Sequence, residues 1–244
     1  MKENFNAEKE TQNLLNWIRE YFKEHSSVKG AVIGISGGKD STVVSKLLVE
    51  ALGKERVFGV LMPNGEQKDI NDSLKVVELL GINYKVVNIE KAYNGILEAI
   101  NIENIASAAK TNIGPRLRMT TLYAIAADMG YMVCGTGNKS EKFVGYTTKW
   151  GDGASDFNPI GNLTTEEVKA IGDYLGLPKY LVHKTPSDGL CGKSDEENLG
   201  FTYNDVNTYI EKGTTGNNEL DEKIKLKNKY NKHKNDPIPM YKPL

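Results

Sequence analysis

Short apolar runs alternate along this chain with longer stretches whose apolar positions recur every three or four residues. Residues from about 6 to 24 carry Leu14, Leu15, Ile18, Tyr21 and Phe22 at helical spacing. Ala31-Val32-Ile33-Gly34-Ile35 reads as a buried strand, followed by a helix that includes Thr42 to Val49. Val57 to Met62, Tyr84 to Ile89 and Tyr131 to Cys134 read as further strands. Helical stretches near 69–80, 91–102 and 115–129 separate them. Such alternation predicts a parallel sheet covered on both faces, with ligands at the carboxyl ends of the strands. Past residue 145 the pattern changes. Glycines at 145, 151, 153 and 161 mark a long loop, the kind that in a compact domain usually carries function. Thr164-Thr165-Glu166-Glu167 is a capping box for a helix bearing Val168, Ile171 and Leu175. After a polar stretch, 182–200, come helical stretches near 203–212 and 217–232 and a Pro-rich end. The last forty residues or so read as too polar for a core of their own, and so as a cover over the main domain or a neighbouring subunit.

The chemistry begins in the turn after the first strand, Ser36-Gly37-Gly38-Lys39-Asp40-Ser41. Strand, glycine turn and helix start make a phosphate site: glycines let the backbone approach, and free N–H groups at the helix start face the anion. Ser36 and Ser41 add hydroxyl donors. The run fits neither the Walker loop nor the Gly-x-Gly-x-x-Gly fingerprint, since Asp40 follows Lys39. A carboxylate beside phosphates is repulsive unless a cation lies between them, so Asp40 predicts Mg²⁺. After the fourth strand, Gly135-Thr136-Gly137-Asn138-Lys139-Ser140-Glu141 offers Thr136 as a donor and Glu141 as a second carboxylate for the metal. Glu141 reads equally well as a helix-start acid that complements the dipole.

Bulk properties narrow the classes. A chain of 244 residues with net charge -1 has no basic surface for nucleic acid. No apolar run is long enough to span a bilayer. The polar opening Met1 to Phe5 is expected to carry no export signal, and Cys134 and Cys191 form no Cys-x-x-Cys, which fits a reducing cytoplasm. Three scattered histidines make no zinc site.

Ser-Gly-Gly-x-Asp-Ser resembles the pyrophosphate loop of the ATP pyrophosphatases, which split ATP between the α- and β-phosphates. Three further segments narrow the likeness: Thr148-Lys149-Trp150-Gly151-Asp152-Gly153-Ala154-Ser155-Asp156, Asn112 to Met119, and Lys184 to Leu190. With His233-Lys234 near the end, they resemble the NAD synthetase family over nearly the whole chain. The resemblance implies an α/β, doubly wound, mainly parallel five-stranded sheet with helices on both faces, Rossmann-like, of the adenine nucleotide alpha hydrolase type. It implies one domain over 1–244, with a core sheet at about 28–145, a substrate loop at 145–161 and a helical cover at 164–244. By resemblance ATP lies against Gly34, Ile35, Ser36, Gly37, Gly38, Lys39, Asp40, Ser41, Gln67, Thr136, Thr165 and Ser187. Asp40 and Glu141 hold Mg²⁺; Arg116, Lys149, Asp156, His233 and Lys234 contact deamido-NAD; Asp40, Glu141 and Asp156 serve catalysis.

The implied reaction activates a carboxylate by adenylation, releases pyrophosphate, and lets free ammonia displace AMP. No stretch remains for a glutaminase, which points to ammonia. Two positions depart from the family. Thr165 stands where relatives often have Lys, so that either Lys169 or Lys39 neutralises phosphate or the site binds ATP more weakly. Gly137-Asn138 replaces a frequent Asp-His, and neither is assigned a role. A cytoplasmic homodimer is expected, with the 112–130 region at its interface, supported by the broad apolar stripe of the first helix. Rival readings are another ATP pyrophosphatase, a non-catalytic adenine-nucleotide sensor and a structural interaction protein. The sensor needs no second carboxylate, and the interaction protein leaves the glycine loop unexplained.

Overall fold

The computed structural model describes residues 4–67, 70–184 and 194–243. In chain order the elements are α1 (Ala7–Glu24), β1 (Ala31–Gly34), α2 (Lys39–Leu52), β2 (Val57–Leu61), α3 (Ile70–Leu80), β3 (Asn83–Val86), α4 (Glu90–Ile100), α5 (Ser107–Met129) and β4 (Met132–Cys134). They continue with α6 (Lys139–Val144), α7 (Thr165–Tyr174), α8 (Lys179–Val182), α9 (Asp195–Leu199), α10 (Tyr203–Lys212) and α11 (Asn218–Asn231). The strands are parallel in the order β3-β2-β1-β4. The chain runs outward from β1 to β3 and then returns to the other side of β1, so β1 lies at the switch point where α/β sheets bind ligands.

Alternation along β1 divides the core. Ala31 and Ile33 face a layer made by α1, α2, α3, α7 and α8, whereas Val32 faces α5 through Met119, Leu122 and Ala126. Helices cover both faces of the sheet at β1, β2 and β4, as expected, whereas every residue of the edge strand β3 is exposed. Five strands were expected, and among the described residues there are four. The place of the fifth is held by Asp156 and Phe157, which run beside β4 through a single parallel bridge at Cys134. Asn158-Pro159 follows directly, and proline cannot donate to a ladder, so pairing stops there.

Three further differences have local causes. Helix α5 starts at Ser107 rather than near Pro115: proline removes one i→i−4 bond, and the helix continues through it. The apolar stripe of α1 is largely consumed inside the chain, where Leu15, Ile18 and Phe22 are buried in the main core, while Trp17 stays exposed. The polar C-terminal part does carry a small apolar cluster. Val144 of α6 sits with Leu199, Phe201, Tyr203, Val206 and Ile224. The rest of that attachment is polar. Asn228, Asn231 and Asn235 donate to the carbonyls of Phe143, Val144 and Lys142. These carbonyls belong to α6's last turn; that of Lys142 also accepts from the Gly145 N–H, and the tail adds a partner to each. Among the described residues no helix is long and apolar enough to cross a membrane.

Candidate active site

The loop leaving β1 has the geometry its composition predicts. Gly37 adopts φ 75°, and an added Cβ would lie 2.8 Å from the Ser73 amide nitrogen of α3. Only glycine fits that close approach and that backbone conformation. Gly38 caps α2 without a side chain, leaving the first-turn amides facing outward from the sheet edge. Ser36 Oγ lies 3.1 Å from Ser41 Oγ, and Ser41 Oγ donates to the Gly38 carbonyl, so the two hydroxyls brace the turn.

Asp40 and Glu141 come from helices almost a hundred residues apart, and Asn138 ties them together. Asn138 Nδ2 donates to Asp40 Oδ1 at 3.2 Å, and its backbone N–H donates to Glu141 Oε2 at 3.0 Å. Its Oδ1 accepts from the amides of Ser140 and Glu141, which completes a capping box at the start of α6. Asn138 is fully buried. This residue, given no role from the sequence, is the hub of the site. The signal for it was present: Asn138-x-x-Glu141 is a helix-start signature. The helix-start reading of Glu141 is the one observed, since one carboxylate oxygen completes the cap; the same carboxylate lies in the field of Asp40. Burial, and after it the Asp40 charge, push the Glu141 carboxyl well above the usual carboxylate range.

Lys39 lies beside this pair. Its ammonium donates to Asp40 Oδ2 at 2.7 Å, and the side chain is 3% exposed. Burial disfavours its charged form, but Asp40, Glu141 and Asp195 outweigh burial and hold its pKa above the ordinary lysine value. Thr165 lies behind Asn138 and is buried; its amide donates to Ser140 Oγ. It reaches the loop only through Asn138. Lys169 pairs with Glu166, whereas Lys39 lies on the loop itself and Lys184 pairs with Asp72, which packs against Gly37. Thr136 and Gln67, both half-buried, follow β4 and β2 at the same sheet edge. Ser187 and most of the Lys184 to Leu190 segment fall outside the described residues, as does Cys191. Cys134 is buried and unpaired, and burial pushes its thiol pKa up.

The residues expected at a second substrate gather around the glycine loop. Arg116 Nε donates to the Lys149 carbonyl at 3.2 Å, and Lys149 Nζ donates to the His233 carbonyl at 2.8 Å. Lys234 Nζ donates to the carbonyls of Gly145 and Thr147. The loop backs directly onto α5: a Cβ on Gly151 would lie 2.9 Å from Pro115 Cβ. Asp152 holds the loop's shape by accepting from the Thr148 amide and the Thr147 hydroxyl. Thr148 in turn donates to Asn112 Oδ1 at 2.7 Å. Arg116, Lys149, His233 and Lys234 therefore form one constellation. Asp156 stands apart from it. Its carboxylate accepts from the Val133 amide at 2.7 Å and from the Tyr123 hydroxyl at 3.1 Å, alongside β4.

Two carboxylates and phosphate oxygens are the donor set Mg²⁺ prefers. Asp40 and Glu141, linked through Asn138, fit that chemistry, although Lys39 already takes one Asp40 oxygen. Among the described residues no group of three or more His, Cys, Asp or Glu side chains could hold a metal.

A glycine phosphate loop at the switch point of a parallel sheet, faced by two linked carboxylates, defines a phosphate-binding protein of the α/β class. Residues 10–240 match the NAD synthase family, and the chain belongs to it. It is 41% identical over 234 residues to the NH(3)-dependent NAD(+) synthetase of Carboxydothermus hydrogenoformans, covering 94% of this chain and 95% of that one. It is 47% identical to that of Pyrococcus horikoshii over 188 residues, 77% of this chain and 72% of that one. Among solved structures, NMN synthetase from Francisella tularensis superimposes with a TM-score of 0.90 at 33% identity, over 98% of this chain and 99% of that one. The NH3-dependent NAD synthetase of Campylobacter jejuni does so with a TM-score of 0.82 at 30% identity, over 98% and 100% of the two chains.

Proposed function

We propose that this chain is a ligase that amidates deamido-NAD to NAD with ATP and free ammonia, through an adenylated intermediate, releasing AMP and pyrophosphate. The observation that carries the reading is the Ser36–Ser41 loop at the end of β1 with Asp40 and Glu141 joined by Asn138, in a chain whose relatives are NH(3)-dependent NAD(+) synthetases. The amides and hydroxyls of the loop bind the leaving pyrophosphate, where negative charge develops as the α-phosphate is attacked. Mg²⁺, held by Asp40 and Glu141, would neutralise phosphate charge. Arg116, Lys149, His233 and Lys234 bind and orient the nucleotide that bears the carboxylate; the cations match its phosphates. Fixing the two nucleotides in line accounts for much of the rate, since the chemistry asks for little covalent participation by the protein. Asp156, whose carboxylate already accepts from the Val133 amide and the Tyr123 hydroxyl, is given no step in the reaction.

The enzyme is read as a cytoplasmic homodimer. None of α4 is buried, and Val86, Ile96, Ile100 and Tyr123 leave an apolar face on β3, α4 and α5. That face supports an interface formed by the 112–130 region, beside the Arg116 constellation.

One observation favours a second substrate. The overlap with NMN synthetase, at a TM-score of 0.90, exceeds that with the Campylobacter jejuni NAD synthetase. The same loop and carboxylates would serve nicotinate mononucleotide, which bears the same carboxylate. The test is incubation with ATP, Mg²⁺ and ammonium, with deamido-NAD in one arm and nicotinate mononucleotide in the other. Equal AMP and pyrophosphate, dependent on deamido-NAD, is expected. Dependence on the mononucleotide instead would transfer the activity to it, and recovery of ADP and phosphate would overturn both readings.

A further inference from the structure

Lys39 is in an expensive place. It opens α2, where the helix dipole disfavours a cation, and it is 4% exposed, where lysine is almost never found unpaired. Both costs are offset by one contact, the 2.7 Å bond to Asp40 Oδ2, and by the fields of Glu141 and Asp195. With Asn138 on Asp40 Oδ1, each Asp40 oxygen already has a partner. A divalent ion that reaches Asp40 therefore meets an ammonium already there, and the two cations repel each other.

We infer that the Lys39 ammonium is a resident cation that closes the Asp40–Glu141 pair to free divalent ions until nucleotide phosphates draw it off Asp40. This rests on the reading of the loop as the ATP site. Lys39 follows Gly38 directly, so its backbone lies on the phosphate-binding turn, and a phosphate there offers the ammonium an anion to replace the carboxylate it leaves. Asp40 then turns to the metal that accompanies the nucleotide. The pair stays charge-compensated throughout: by lysine when empty, by metal when loaded. Metal and nucleotide load together, and metal alone does not load. Lys39 is in this sense a positioning residue for the metal as well as a phosphate ligand.

The test is a titration of the full chain with Mn²⁺, followed by electron paramagnetic resonance of the free ion. Wild type, Lys39→Met and the double variant Lys39→Met with Asp40→Asn are compared without nucleotide. Lys39→Met should bind Mn²⁺ at least about tenfold more tightly than wild type, given the repulsion removed, and the double variant should lose that gain. Adding α,β-methylene ATP should tighten Mn²⁺ binding to wild type and narrow the gap. Equal Mn²⁺ affinity of wild type and Lys39→Met without nucleotide would overturn the inference. A lysine that merely holds the fold would leave this affinity unchanged. Should Lys39→Met not fold, as judged by circular dichroism, Lys39→Gln keeps a donor to Asp40 and takes its place. The wild-type comparison with and without the analogue stands in any case: at least about tenfold tightening is expected on the same ground, and no change overturns the inference. Failure of the amidation reading shows separately, in the absence of AMP and pyrophosphate.

Discussion

Replacing Asn138 by alanine tests the architecture of the site most directly. The change removes a side-chain cap that accepts from the Ser140 and Glu141 amides, and the donor to Asp40 Oδ1. Loss of an N-cap costs about 1 kcal/mol. Loss of a hydrogen bond to a charged acceptor adds about 1.5–3 kcal/mol, because Asp40 is left with one partner fewer in a partly buried place. The sum is about 3 kcal/mol, or roughly 6–12 °C in Tm for a chain of this size at about 2–4 °C per kcal/mol. Asparagine to aspartate separates the two losses. Aspartate caps as well as asparagine does, so α6 stays anchored. It places a carboxylate, however, where a donor now lies 3.2 Å from Asp40 Oδ1. Urea denaturation followed by circular dichroism, in chelator and in Mg²⁺, gives both numbers. Asn138→Ala should be destabilised by a similar amount in either buffer. Asn138→Asp should be destabilised in chelator and in Mg²⁺ alone, and substantially restored when Mg²⁺ and α,β-methylene ATP are added together. An Asn138→Ala variant within about 0.5 kcal/mol of wild type, the scatter of ordinary surface changes, would refute the description of Asn138 as the hub.

Three more expectations follow from the same geometry. Asp40→Asn and Glu141→Gln should each remain folded by circular dichroism and lose about 10²-fold or more in AMP formation, the scale seen when one charge-stabilising group is removed; near-wild-type turnover at limiting Mg²⁺ would exclude the two-carboxylate site. In chelator, thermal stability should fall as pH rises from 4.5 to about 8, because over that window the unfolded Glu141 carboxyl has lost its proton while the folded one, pushed up to about 8, still holds it. Its folded pKa is raised, so the proton it holds stabilises the native state below the unfolded value, and that contribution is lost as pH climbs; Glu141→Gln should flatten the slope in differential scanning calorimetry. Light scattering should give a dimer, and Tyr123→Glu on the exposed face of α5 should weaken it; an active monomer at micromolar concentration would refute the shared-interface reading.

Much of this molecule is written in local patterns. The strand–turn–helix around Ser36–Ser41 needs only an apolar run, two glycines and a helix start, and all three are consecutive in the chain. Helix α10 spans the 203–212 stretch that apolar spacing marks, because Thr202 caps it and Gly213 ends it. The box at Thr164 opens α7 for the same reason. Short-range rules suffice where every bond that sets the element lies within a few residues.

Tertiary structure decided what depends on partners far along the chain. The missing fifth strand follows from where residues 156–157 dock against β4. The polar α11 is held by asparagines that find the open carbonyls of α6, a match visible only once both helices are in place. Above all, Asn138 became the centre of the site through Asp40, 98 positions away. Its capping pattern with Glu141 is local and legible. Its tie to Asp40, and the burial that turns Lys39 from a solvated cation into a paired one, arise from packing two sheet-edge loops side by side. No spacing along the chain encodes that distance.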